Sequence, residues 1–156
     1  MFIYILSNLD MGAGGGAPSF EGTDVLAAVE AWWNATAAVY SLTRDHKLWF
    51  LEAPENTLLP YATFFLVAQP VETWTTGFAF YRAGIQINLH CNTAARARSL
   101  AHQLRVAFKG APLSVNNQTV CHVLPDGNTI QVGTGLGPGG KDCWVATETF
   151  DIPFTE

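Results

Sequence analysis

Ten residues near the end of the chain, Gly133 to Asp142 (GTGLGPGGKD), have the composition of a phosphate cradle. Gly135-Leu136-Gly137-Pro138-Gly139-Gly140 fits G-x-G-x-x-G, and Gly135 to Asp142 fits G-x-x-x-x-G-K-[ST] except at its last position. Such a loop holds phosphate when a strand feeds the glycine turn and a helix comes after it, because backbone N–H groups and the helix N-terminus then face the anion. Here β-prone Cys143-Trp144-Val145-Ala146-Thr147 comes instead, and too little chain remains for a βαβ unit of about 30 residues. Asp142 also puts an acid where magnesium binding needs Ser or Thr. The expectation is an exposed, mobile hairpin loop between two late strands, built on Gly135 and Gly137, with Lys141 and Asp142 as its polar contacts.

The sulfur and imidazole groups are the next candidates for chemistry. His90-Cys91 and Cys121-His122 fall on β-prone runs, and Cys143 opens another. Zinc needs four such groups to converge, or three with a water. Neighbours on a strand point to opposite faces, so each pair offers one ligand at most. No C-x-x-C occurs, and buried cysteines acting as small apolar residues are the simpler reading. A Cys–His nucleophile pair has no motif to supply an oxyanion hole or an orienting acid, and neither Ser99 nor Ser114 sits in G-x-S-x-G. We therefore expect no catalytic, cofactor-binding or metal residues.

Of the eight Lys and Arg residues, four lie between Arg96 and Lys109. Arg98, His102, Arg105 and Lys109 follow helical spacing and form one stripe, either a solvated helix face or a docking stripe for an acidic neighbour. Aromatic residues are not interleaved with these charges, which argues against nucleic-acid binding.

The elements that must position these groups are legible in outline. Leu26, Val29, Trp33, Val39 and Tyr40 set a helix from about Asp24 to Leu42, capped by Thr23 or Asp24. Trp32 and Trp33 are adjacent, so one is expected in the core and the other, assigned as Trp32, at a subunit contact. Lys47 to Leu51 is a short edge strand. Ala62 to Ala68 is a strand ended by Pro70, and Thr73 to Thr75 bridges to the next, Phe78 to Cys91. There Ile85, Ile87 and Leu89 alternate with Gln86, Asn88 and His90, the mark of a half-buried strand. Asn92 or Thr93 caps a second helix, Ala94 to Lys109, with Ala97, Leu100, Ala101, Leu104 and Phe108 on its apolar face and Gly110 as its stop. Thr119 to Leu124 and Asn128 to Gly133 flank Pro125-Asp126-Gly127, a hairpin signal, and Asp142 to Phe154 closes the chain. The order is helix, two strands, helix, three strands.

Composition limits the setting. With 156 residues the chain suits one domain, expected over 23–156 after a flexible Gly-rich arm, 1–22, that orders only against a partner. Charged residues are only 13% against 49% hydrophobic, which points to assembly with part of the surface hidden. The net charge of −5 argues against a general nucleic-acid binder. Three widely spaced cysteines imply no disulfide framework and a reducing compartment. Met1 to Leu6 is a poor signal peptide, and no run of about 18 apolar residues suggests a membrane span.

Taken together, Leu59-Pro60-Tyr61 opening a strand, the run Tyr81-Arg82-Ala83-Gly84-Ile85-Gln86-Ile87-Asn88-Leu89, the capped helix Asn92-Thr93-Ala94-Ala95-Arg96-Ala97-Arg98-Ser99-Leu100-Ala101 and the closing Phe150-Asp151-Ile152-Pro153-Phe154 give a familiar order. It resembles the tail terminator (tail-completion, or neck) proteins of long-tailed bacteriophages over about residues 24 to 154, departing in its Gly-rich arm and long final loop. The resemblance implies an α+β fold in which a mostly antiparallel β-sheet packs against two main helices. It also implies a virion protein with no enzymatic chemistry, a homohexameric ring that caps the tail tube and ends its growth. Its partners would be other copies of itself, the tail-tube protein and a head-completion or connector protein, with DNA passing through the centre without sequence-specific binding. Two alternatives stay open: a head-completion or connector protein of the same neck, and a small Cys/His metal protein or enzyme.

Overall fold

The structure, a computed structural model, describes residues 22–75, 78–115, 118–119, 123–127, 130–137 and 140–155. The expected N-terminal arm lies outside the described residues, apart from Gly22. Two helices open the described chain, α1 (Gly22–Ala35) and the short α2 (Ala37–Tyr40), followed by strands β1 (Leu48–Phe50), β2 (Tyr61–Thr75) and β3 (Phe78–Cys91). Helix α3 (Ala94–Phe108) comes next, then β4 (Ser114–Val115), β5 (Gln118–Thr119), β6 (Leu124–Pro125), β7 (Gln131–Leu136) and β8 (Asp142–Thr155). The fold is α+β, with a mostly antiparallel sheet against α1 and α3, as the sequence reading holds.

The sheet runs β1-β2-β3-β8, and β6 and β7 succeed one another along the far side of β8. Among the described residues only the β1–β2 pair is parallel, with Leu48 opposite Ala62. The long ladders fix the register: Ile87 lies between Phe64 of β2 and Glu148 of β8, and His90 between Tyr61 and Val145. β4 and β5 form a separate ribbon.

Burial follows the alternation. Ile85, Ile87, Leu89 and Cys91 face the helices together with Ala62, Phe64, Ala146, Phe150 and Ile152. Across from them α3 presents Ala97, Ala101, Leu104 and Phe108, and α1 presents Val25, Val29 and Trp33. The Thr93 side chain accepts a hydrogen bond from the Arg96 N–H at 3.2 Å, which caps α3 as its sequence suggests. Gly110 follows the helix at φ +72°, the left-handed conformation that glycine adopts at low cost.

Four expectations change in detail. The first helix starts at Gly22, so Thr23 and Asp24 lie inside its first turn rather than capping it. It also breaks at Thr36, whose backbone is extended, and the bend returns Val39 and Leu42 to the core. Pro70 does not end its strand: β2 runs on to Thr75, because the register slips between Ala68 and Val71 and the proline's missing N–H falls in that bulge. Pro125-Asp126-Gly127 does not reverse the chain. β6 and β7 both run antiparallel to β8, and the Asp126 N–H donates to the Thr149 carbonyl at 2.7 Å, so the segment bulges out of one interrupted edge strand.

The expectation that one tryptophan stays outside the core is also corrected. Trp33 is fully buried and Trp32 is 8% exposed, its ring 4.5 Å from that of Phe108. Successive helical side chains are about 100° apart, and α1 is flanked by both the sheet and α3, so its apolar arc is wide enough to take both rings. Trp32 holds α1 to α3 and offers little surface to a neighbour.

Candidate functional site

The face of the sheet turned away from the helices carries the polar half of each alternating strand. Gln86, Asn88 and His90 of β3 share it with Tyr61 and Thr63 of β2 and with Cys143 and Thr147 of β8. These groups satisfy one another. The Asn88 carbonyl accepts from the Gln86 amide at 2.9 Å and from the Thr147 hydroxyl at 3.0 Å. The His90 ring stacks on Tyr61 with centroids 4.3 Å apart and planes 9° from parallel. Its Nε2 lies 3.3 Å from Thr63 Oγ1 and its Nδ1 3.8 Å from Cys143 Sγ, while the Cys143 thiol reaches the Gly135 carbonyl at 3.5 Å.

Burial sets the protonation of this group. It lowers the pKa of His90 to about 4, so the imidazole is neutral near pH 7. It raises that of the Cys143 thiol, aided by the adjacent Asp142 carboxylate. It raises Tyr61 to about 12, with Cys143 adding to the effect. Cys91, on the opposite face, is pushed up to about 11 by burial, with Arg96 pulling down and Cys143 up. A neutral imidazole beside a protonated thiol is a packed pair, because an activated nucleophile needs the thiolate. Among the described residues no three His, Cys, Asp or Glu side chains converge to hold a metal. Cys121 and His122 lie outside the described residues.

Above this floor is a cleft of about 260 Å³ lined by Tyr61, Thr63, Asn88 and His90. One wall is Leu51-Glu52-Ala53, which leaves β1 through Leu51 at φ 64° and crosses the open face. The other is Leu136 and Gly137 of the β7–β8 turn. Leu51 is 61% and Leu136 71% exposed, so an apolar side chain stands on each wall of a polar floor, with exposed Glu52 beside the first. Exposed apolar side chains of this size are the kind of surface that a protein neighbour covers.

The glycine stretch forms the second wall. Gly135 belongs to β7, paired with Cys143, and a side chain there would meet Val145 Cγ2 at 2.7 Å. The Gly137 N–H donates to the Lys141 carbonyl at 2.7 Å and the Gly140 N–H to the Gly137 carbonyl at 3.1 Å. These amides close a hairpin turn and then feed a strand, so the turn lacks the helix N-terminus a phosphate cradle uses. Lys141 and Asp142 are exposed at its foot.

The basic stripe is narrower than its spacing suggests. Arg98 and His102 are exposed on α3 and Lys109 is exposed just past its end, but Arg105 turns inward. Its Nε and Nη2 donate to Glu148 Oε2 at 3.0 and 2.7 Å, and the Glu148 side chain is completely buried. Glu148 Oε1 has no hydrogen-bond partner among the described residues. Burial raises the Glu148 pKa, and the Arg105 guanidinium and His102 pull it back down. Glu148 belongs to no motif, although a signal exists: Ala146, Phe150 and Ile152 face the core at every second position, and Glu148 stands in that series.

No family model matches the chain, and no curated protein sequence matches it. Its fold is similar to that of a chain in the virion of a native gene transfer agent (GTA) particle: the TM-score is 0.61 at 15% identity, over 83% of this chain and 93% of that one. A second solved chain, 19% identical over 83% of this chain and 94% of its own, superposes with a TM-score of only 0.42. At such identities the likeness to the virion chain is one of fold, and it spans nearly the whole of both molecules.

Proposed function

We propose that the protein is a structural component of a phage-like virion, acting by assembly rather than catalysis. The observation that carries this is the fold shared with a virion chain over 83% of this molecule and 93% of that one. The most specific form of the reading is a tail terminator: copies join in a ring, in our reading of six, which caps the finished tail tube, halts its growth and meets a head-side connector. The order of sequence features from Leu59 to Phe154 supports that form. The net charge of −5 fits a channel wall past which DNA moves, since a wall with no net positive charge does not trap the phosphate backbone. The self-satisfied, neutral His90–Cys143 pair agrees with a role that needs no reactive group.

Native mass spectrometry across a range of concentrations, with and without the tail-tube protein, tests the reading. A closed ring that binds tube ends is the expected result. A monomer that stays monomeric at high concentration and ignores the tube overturns it. Imaging the neighbours in an assembled particle separates a terminator from an adjacent connector ring.

A further inference from the structure

Charge is segregated between the two faces of the sheet. Helix α3 lies against one face through Ala97, Ala101, Leu104 and Phe108, so its exposed side points away from the sheet. Neither the helix nor the Lys109 that follows it includes an acidic residue. Arg105 is held by Glu148, but Arg96, Arg98 and Lys109 are exposed and form no ion pair among the described residues. Val106 stands among these bases and is 65% exposed. It is one helical turn from His102 and two from Arg98, with Lys109 three residues on, so basic side chains bracket an apolar one.

The connection from β1 to β2, residues 51–60, has the complementary character. It carries Glu52 and Glu55 and no Lys or Arg. Both acids are exposed, and neither forms an ion pair among the described residues. Glu52 lines the open-face cleft between Leu51 and Ala53, and Leu136 belongs to the other wall. The bases of the adjoining segments have company of their own. Lys141 precedes Asp142, Arg44 precedes Asp45, and the Lys47 ammonium lies 5.1 Å from the centre of the Trp49 ring. At about 260 Å³ the cleft is below the size that holds a drug-sized ligand, but it takes a single aliphatic side chain.

One chain therefore carries both halves of a contact, and a second copy supplies whichever half the first lacks. The sheet lies between the two halves, so they cannot meet within one molecule. Between molecules the contact is head to tail, because each copy contributes a different surface to it. Contacts of that kind close into rings when the rotation from copy to copy divides a full turn. We propose that the outer side of α3 in one copy docks in the open-face cleft of the next, with Val106 between Leu51 and Leu136 and the α3 bases against Glu52 and Glu55. The inference rests on the ring reading above and names the two surfaces that join its copies.

Charge reversal with mixing tests this in the full-length chain. One variant carries Arg98→Glu and Lys109→Glu, the other Glu52→Lys and Glu55→Lys. All four positions are exposed, and urea unfolding checks that each variant folds as the native chain does. In native mass spectrometry each variant alone is expected to need at least tenfold more protein than the native chain to assemble. Mixed in equal amounts they are expected to assemble again, in particles holding both in equal number, because every joint then pairs an acidic patch with a basic one. Assembly of either variant alone at native concentrations, or no recovery on mixing, overturns the proposal. Cysteine trapping gives a readout that does not depend on charge. Val106→Cys in one copy and Leu136→Cys in another are expected to form an interchain disulfide, mapped by peptide mass spectrometry. Glu30→Cys, exposed on α1, is expected to react with Leu136→Cys at least tenfold more slowly. No bond at position 106, or equal rates at the two positions, also overturns it. Native rings whose joints ignore all these changes sink this contact and leave the ring reading standing. A native chain that stays monomeric beside the tube protein sinks both.

Discussion

The two faces of the sheet are made by the same strands one residue out of step, and they differ in how they are held. On the helix side Ile85, Ile87 and Leu89 lie beneath α1 and α3 in a continuous apolar core, with one charged pair, Arg105–Glu148, set into it. On the open side Gln86, Asn88 and His90 bond sideways to Thr63, Thr147 and Cys143 and keep partial contact with water. The first face loses stability when volume or a charge partner is removed. The second face has side chains that bond to each other beneath an open cleft. Stability therefore rests mainly on the helix side of β3, and whether the open side serves recognition is what the variants below test.

The largest effect is expected in the helix-side core. Phe108 is fully buried, 4.5 Å from both the Trp32 and Phe150 rings, and joins α1, α3 and the sheet. Phe108→Ala is expected to cost about 3–5 kcal/mol in urea unfolding, through lost contact and the cavity left behind. A loss below about 1 kcal/mol would mean that α3 is not docked through this ring.

Arg105→Met comes next, because it leaves the Glu148 carboxylate buried without its partner. A loss of about 3 kcal/mol near neutral pH is expected, and pairing it with Glu148→Leu should restore most of it. The pH dependence has a definite sign. Burial raises the folded pKa of Glu148 above its ordinary 4.5, so its neutral form favours folding. That contribution is complete below about pH 4.5 and is lost as pH rises through the raised value. Arg105 limits the loss in the native protein. Without it the window widens upward, so the variant should regain stability on acidification from pH 7 toward 5. If stability instead falls over that range by more than it does in the native protein, the buried pair has been misassigned.

The open face should respond to pH in the opposite sense. The folded pKa of His90 is lowered from 6.5 to about 4 by burial, so the unfolded chain takes up a proton first. Stability contributed by the neutral ring is present above about pH 6.5 and lost as pH falls toward 4. The expected loss is about 2 kcal/mol once the ring's partial access to water is discounted. His90→Gln should flatten the stability profile between those values, as read by urea titrations at half-unit steps. An unchanged slope would show that the ring is free to ionise in place.

How much of this was legible in the sequence depends on whether a feature is periodic. The alternation from Ile85 to His90 and the face Ala97–Leu104–Phe108 give β3 and α3 correctly, because a period of two or of about 3.6 survives in one dimension. The bulge that carries Pro70 and the shared edge on β8 that keeps Pro125-Asp126-Gly127 from reversing the chain depend on partner strands far along the chain, so local turn chemistry misreads both. The same holds at the site. The spacing of Arg98, His102, Arg105 and Lys109 is helical, but only Glu148, 43 residues beyond Arg105, turns one of the four inward. His90 meets Cys143 across two adjacent strands, which no linear motif records. The glycine stretch is legible through the β-prone run after it, which rules out the helix a phosphate cradle requires, and the hairpin turn at Gly137 to Lys141 agrees.

The smallest effect tests the open face alone. Asn88 accepts from both Gln86 and Thr147 through one oxygen, and it lines the cleft floor. Asn88→Ala removes that acceptor and strands two donors, but both donors are only half-buried. Water can reach them, so the loss should be about 1 kcal/mol rather than the larger cost of a fully buried orphan. Contact with a neighbour should suffer more than folding does. If this floor is a docking surface, Asn88→Ala weakens assembly at protein concentrations where the monomer remains fully folded. Should assembly be unaffected while Phe108→Ala and Arg105→Met behave as expected, the open face is merely solvated and the contact lies elsewhere on the molecule.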